Sequence, residues 1–230
     1  EYLQGETLAQ WLHRQEKPLN LDEILPILQQ TALALNAMHR LEMLHQDIRP
    51  KNIMVINAEN AMKIKLIDYG STAVRGLVEI NPKNANRPLG TLAFMAPEYF
   101  IDHSPSVHSD QFSLAVMAYY LFTKQLPYGT DLARCNSLKQ MKKVQYHSIR
   151  KYRPDLPIWL DKILGQALSI EPIHRFEALS ELIHNLMHPS KELLNSKPPA
   201  IIERDPLRFW QMSCAVLGLL FLLSIAWPFI

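Results

Sequence analysis

The sequence predicts an α+β chain, mostly helical, with one small β-hairpin and an apolar helix at its C-terminus that spans a membrane. Three observations carry this. Long stretches place apolar residues at helical spacing. Two short apolar runs, "NIMVI" and "MKIKLI", flank the turn-like "NAEN". The last stretch, Phe209–Ile230, contains no charged residue.

In chain order, "TLAQWLHRQ" sets Leu8, Trp11 and Leu12 on one helical face. "NLDEILPILQQTALALNAMHRL" predicts a longer helix, with Asn20 as N-cap and Glu23 placed to complete a capping box. Its expected buried stripe is Leu21, Ile24, Leu25, Leu28, Ala32, Leu35 and Met38. Pro26 predicts a kink or a later start. The hairpin follows. Asp68–Pro97 carries Gly, Pro and Asn and reads as a loop, of a length that is usually functional. "SDQFSLAVMAYYLFTK" is apolar nearly all round and predicts a central buried helix. "PIWLDKILGQAL" and "EALSELIHNLM" are amphipathic helices. Residues 114–120 and 158–168 are core stripes rather than cofactor contacts. "NSKPPAIIERDP" is a polar linker into the last helix. The expected division is a folded domain at 1–188, a linker at 189–208 and the spanning helix at 209–230.

The bulk numbers exclude several classes. A net charge of +2 is too small for a nucleic-acid footprint. Two distant cysteines make no disulfide framework and suit a reducing compartment. Nine histidines, read as scattered with no close pair such as H-x-x-x-H on one helix, argue against zinc. The opening "EYLQGETL" has no Met and is expected to be the interior of a longer polypeptide. At the other end, a helix over 209–230 is about 30 Å long, enough for the hydrocarbon core. Trp210 and Trp227 lie near its ends, and Arg204 and Arg208 precede it. The positive-inside tendency puts residues 1–208 in the cytoplasm.

The chemistry concentrates in "LHQDIRPKNIMVI", Leu44–Ile56. Asp47 and Asn52 bracket a loop leading into the first hairpin strand, and Asp68 ends the second. Neighbouring strands lie about 5 Å apart, so Asn52 and Asp68 can share one site. A carboxylate and an amide oxygen are hard ligands suited to Mg²⁺, with substrate phosphates adding oxygens. Asp47 remains to accept or orient the proton of an attacking hydroxyl. Arg49 can place positive charge on a transferring phosphoryl group.

"HQDIRPKN", "DYG", "GTLAFMAPE", "SDQFSLAV" and the late "HRF" fall in the order and spacing of the C-terminal lobe of a eukaryotic-like Ser/Thr protein kinase, which residues 1–188 resemble. The resemblance implies ATP and Mg²⁺ as cofactors and Ser/Thr-bearing proteins as substrates. It makes Asp47 the catalytic base and Asn52 and Asp68 the Mg²⁺ ligands. Arg49 stands where Ser/Thr kinases usually carry Lys, keeping charge but not geometry. Thr91 matches the residue that ties the substrate-binding loop to the base. Glu98 is expected to pair with Arg175, Asp110 to hold the catalytic-loop backbone, and His45 to pack rather than catalyse.

"EYLQGETL" resembles the hinge, so Glu1 and Leu3 are expected to face adenine with Met54 beneath it. The N-terminal lobe is then missing. None of the seven glycines forms a G-x-G-x-x-G, and no strand Lys with a helical Glu partner comes before the hinge. Gln46 stands where many kinases carry an Arg that meets an activating phosphate. Residues 73–90 carry no Ser, Thr or Tyr, which is consistent with that loss. "RLEMLHQDIRPKNIM", "HPS" and "IIERDPLRFWQ" before an apolar helix resemble bacterial membrane-anchored bifunctional Ser/Thr kinase/phosphatases. That implies an upstream N-lobe and phosphatase domain, and a single-pass anchor in the inner membrane. The alternatives are a membrane-tethered pseudokinase scaffold and a small-molecule phosphotransferase, which "GTLAFMAPE" disfavours.

Overall fold

Asn20 opens the long helix as expected, and both halves of the capping box form. Asn20 Oδ1 accepts from the Glu23 backbone N–H at 3.0 Å, and Glu23 Oε2 accepts from the Asn20 N–H at 2.8 Å. The computed structural model describes residues 3–58, 61–74, 92–101, 104–195 and 206–226. Its helices are α1 (Leu8–His13), α2 (Leu21–Arg40), α3 (Val107–Thr123), α4 (Leu138–Met141), α5 (Ile158–Ala167), α6 (Leu179–Met187), α7 (Lys191–Leu194) and α8 (Pro206–Ala226). Its strands are β1 (Glu6–Thr7), β2 (Met43–Leu44), β3 (Ile53–Ala58), β4 (Ala61–Leu66) and β5 (Ala73–Val74).

α2 starts at Leu21 and runs through Pro26, so the later start is not seen; Pro26 is its sixth residue, exposed, and the helix forgoes one backbone bond there. The α2 stripe is wider than expected. Ile27 and Thr31 are buried, while Leu21 and Leu25 are only half-buried. α3 is the centre of the core: every residue from Ser109 to Tyr119 is buried. Helices α2, α5 and α6 pack on it.

The expected hairpin is β3–β4, antiparallel, with Ile53 opposite Leu66 and Ala58 opposite Ala61. It is longer than expected, so the connection shrinks to residues 59–60. It is also not isolated, because β1 adds a third strand, pairing Thr7 with Met54. Gly5 permits this, since a Cβ there would collide with the Val55 carbonyl oxygen. The other β4 edge is met by a side chain. Gln30 Nε2 donates to Met62 O at 3.1 Å, and Gln30 Oε1 accepts from the Ile64 N–H at 2.9 Å. A separate ribbon pairs β2 with β5.

Residues 1–194 and 195–230 are two separate units. The first includes α7, whose Leu193 packs on the core. In the second, α8 spans 21 residues. Among the described residues no helix is long and apolar enough to cross a membrane, so the span expected at 209–230 is not found among them. Side chains of α8 are described only as far as 218, and the most apolar part of the expected span lies beyond that point.

Candidate active site

The loop from β2 to β3 holds the expected residues in a strained backbone. Gln46 sits at φ 65°, a conformation side chains disfavour. Asp110, itself buried in the first turn of α3, holds it there. Its Oδ2 accepts from the His45 N–H at 2.9 Å and its Oδ1 from the Gln46 N–H at 2.9 Å. His39 Nε2 lies 2.9 Å from the same carboxylate. The expected role of Asp110 is therefore present. His39 was not singled out in the sequence, and no motif marks it.

Asp47 follows directly and is buried. Asn52 Nδ2 donates to Asp47 Oδ2 and to the Asp47 carbonyl, both at 2.8 Å. The amide is thus fixed, and Oδ1 is the atom left to face a cation. Arg49 Nε lies 3.2 Å from Asp47 Oδ1, so Arg49 is tied to Asp47. Asn52 O accepts from the Ile67 N–H at 3.0 Å, continuing the β3–β4 ladder one step past Leu66. Asp68 comes next, at φ 65°, exposed, with its carboxylate accepting from the Gly70 N–H at 3.3 Å. The structure therefore brings Asp47, Asn52 and Asp68 to one end of the hairpin.

His45 lies beneath them, fully buried, its ring 5.8 Å from that of Tyr69. Burial is the largest influence on it and pushes its pKa down, outweighing the upward pull of Asp110 and Asp47. A neutral packing residue is the result, in keeping with the role expected for it.

Of the adenine-facing trio, Leu3 and Met54 are described. Glu1 and Thr91 lie outside the described residues. Leu3 lines a cavity of about 580 Å³ with Ala34, Met38, Ile67, Asp68 and Tyr69. Met54 does not line it. Met54 is the second residue of β3, opposite Lys65 and half-buried, while its neighbours Ile53 and Val55 are buried. A strand's alternation fixes this.

The Glu98–Arg175 pair is present and buried. Arg175 donates to both Glu98 oxygens at 2.9 Å, and its other hydrogens reach the carbonyls of His108, Ser169 and Ile170. Ser109 Oγ donates to Glu98 at 2.7 Å, a partner the sequence reading missed. Burial pushes the Glu98 carboxyl upward, but the bonds and charge of Arg175 and the bond from Ser109 outweigh it, and the net shift is down. The histidines are less scattered than expected. His184 and His188 stand one helical turn apart with ring centroids 5.2 Å apart. They have no further ligands: among the described residues no group of three His, Cys, Asp or Glu could hold a metal ion.

Residues 1–189 match the family "Protein kinase domain". The chain is 26% identical over 182 residues to the serine/threonine-protein kinase PrkC of Bacillus subtilis, covering 79% of this chain and 27% of that protein. It is 31% identical over 180 residues to the serine/threonine-protein kinase pkn3 of Myxococcus xanthus, covering 76% of this chain and 32% of that one. This chain thus spans about a third of the length of these relatives. The kinase domain of Mycobacterium tuberculosis PknI superposes with a TM-score of 0.61 at 25% identity, over 81% of this chain and 63% of that one.

Proposed function

The chain belongs to the protein kinase domain family, and on that premise we propose that it carries the catalytic loop of a Ser/Thr protein kinase, transferring the γ-phosphoryl group of ATP to protein hydroxyls. One observation supports this most: a buried Asp47 is oriented by Asn52 on a loop whose strained backbone is clamped by Asp110. In this reading Asp47 accepts the proton of the attacking hydroxyl. Asn52 Oδ1 and the exposed Asp68 carboxylate are the hard oxygen donors that would hold Mg²⁺. Bound Mg²⁺ neutralises charge on the phosphates. Arg49 holds Asp47 in place and keeps positive charge beside the transferring group. Thr91 is assigned to the substrate loop, and Glu1, Leu3 and Met54 to the adenine side, on the resemblance alone.

Gln46 gives a second element of the reading. It is neutral, and residues 73–90 offer no hydroxyl, so the enzyme does not depend on phosphorylation in the middle of that loop. Membrane anchorage is also proposed. It is supported by the charge-free run 209–230 and by a helix of 21 residues over most of it. In this reading the kinase part lies in the cytoplasm at the inner membrane, supported by Arg204 and Arg208 ahead of the charge-free run. The upstream N-lobe and a phosphatase domain are proposed from the family resemblance.

Phosphoamino-acid analysis of an added protein, after incubation with the full-length gene product, Mg²⁺ and ATP, tests the acceptor. Phosphoserine or phosphothreonine is expected. Label confined to small alcohols would replace the reading with a small-molecule phosphotransferase.

A further inference from the structure

Residues 132–154, between α3 and α5, carry seven of the chain's cations and no carboxylate. The chain as a whole is only +2, so this segment is a basic island. Three of its cations are spent internally. Lys142 pairs with Glu171 at 2.6 Å. Arg153 reaches Asp155 and the carbonyls of Leu19 and Phe122. Arg150 donates to the carbonyls of Leu156 and Pro154.

The others face solvent. Among the described residues Lys139, Lys143 and Lys151 have no carboxylate partner, and Arg134 stands 3.6 Å from an equally exposed Asp131. The segment is nonetheless firmly seated. Met141, completely buried, pins the α4 turn, so Lys139 and Lys143 project from a rigid base. The turn Leu132–Arg134 packs on the turn Pro97–Phe100, whose Glu98 is locked to Arg175. Arg134, at the start of the basic segment, therefore adjoins the turn that would support a protein substrate.

We propose that the exposed cations of this segment, Arg134, Lys139, Lys143 and Lys151, recognise acidic polypeptide, selecting substrates with Asp and Glu near the accepted Ser or Thr. The proposal rests on the kinase reading above and adds its substrate class. Solvent-exposed cations steer carboxylates from a distance. Basic substrates are repelled by the same field.

The test uses the full-length gene product in detergent with three Thr peptides of one length, flanked by Asp/Glu, by Asn/Gln, or by Lys. The readouts are kcat/KM and, separately, binding of the labelled peptides by fluorescence anisotropy. The acidic peptide is expected to be preferred over the neutral one by about tenfold in both at low salt. The preference should collapse by about 0.5 M salt, where the Debye length is only a few Å. Lys139→Glu with Lys143→Glu should abolish it and leave the neutral peptide unchanged. Equal handling of acidic and neutral peptides, or a preference that survives the double substitution, overturns the proposal. If no peptide is phosphorylated, the kinase reading fails, and anisotropy still decides the surface: selective, Lys-dependent binding of the acidic peptide upholds it, and its absence overturns it. Lys-dependent adsorption to phosphatidylserine vesicles without peptide selectivity overturns it in favour of a membrane contact.

Discussion

At Asp110 a single carboxylate accepts two backbone N–H groups and faces His39, and so fixes a residue at φ 65° immediately before the proposed base. Removing it strands two buried donors, each costing about 1–3 kcal/mol. Asp110→Ala should therefore destabilise the fold by about 2–4 kcal/mol in urea unfolding. It should also lower phosphate transfer, while Asp110→Asn, keeping one acceptor, should do roughly half the damage. A stability loss without any change in rate would remove Asp110 from the positioning of Asp47. These roles were legible in the sequence because "HQDIRPKN" and "SDQFSLAV" carry them at fixed spacing. His39 and Ser109 were not, since each joins its site through tertiary contact rather than local pattern. The adenine-side grouping of Leu3 with Met54 rests on resemblance, because no local pattern marks either residue.

Among the elements, the N-terminal end of α3 is joined to the turn Pro97–Phe100 by the buried Glu98–Arg175 pair and by Ser109. Arg175→Met leaves Glu98 buried and uncompensated, and should cost about 3–5 kcal/mol. The pair also sets a pH dependence. Because the Glu98 pKa is lowered in the folded state, its contribution is present above the unfolded value of about 4.5 and is lost as pH falls through the lower folded value. Urea titrations between neutral pH and pH 3 should show this loss in the wild type and not in Glu98→Gln; identical slopes would contradict it. At the head of α2, Asn20→Ala should cost about 1 kcal/mol, a cap readable directly from "NLDE". The two-residue strands β1, β2 and β5 escaped the sequence reading, because two residues hold no period. The Gln30 amide that closes the β4 edge escaped it for the same reason: its partners are 32 and 34 residues away.

At the scale of the whole molecule, a kinase-family unit and a C-terminal helix are separate bodies on one chain. Deleting 209–230 should move the full-length product from floated vesicles to the soluble fraction, whereas unchanged flotation would place the anchor elsewhere. The central claim is that Asp47 is the base of phosphoryl transfer. The most direct measurement is Mg²⁺-dependent transfer from labelled ATP by the full-length gene product, wild type beside Asp47→Ala, with nucleotide binding measured in both. A loss of about 10²- to 10⁴-fold in rate with nucleotide binding retained is the predicted result. Equal transfer by both proteins would contradict the assignment of Asp47, and nucleotide binding without transfer by either would leave a scaffold rather than an enzyme.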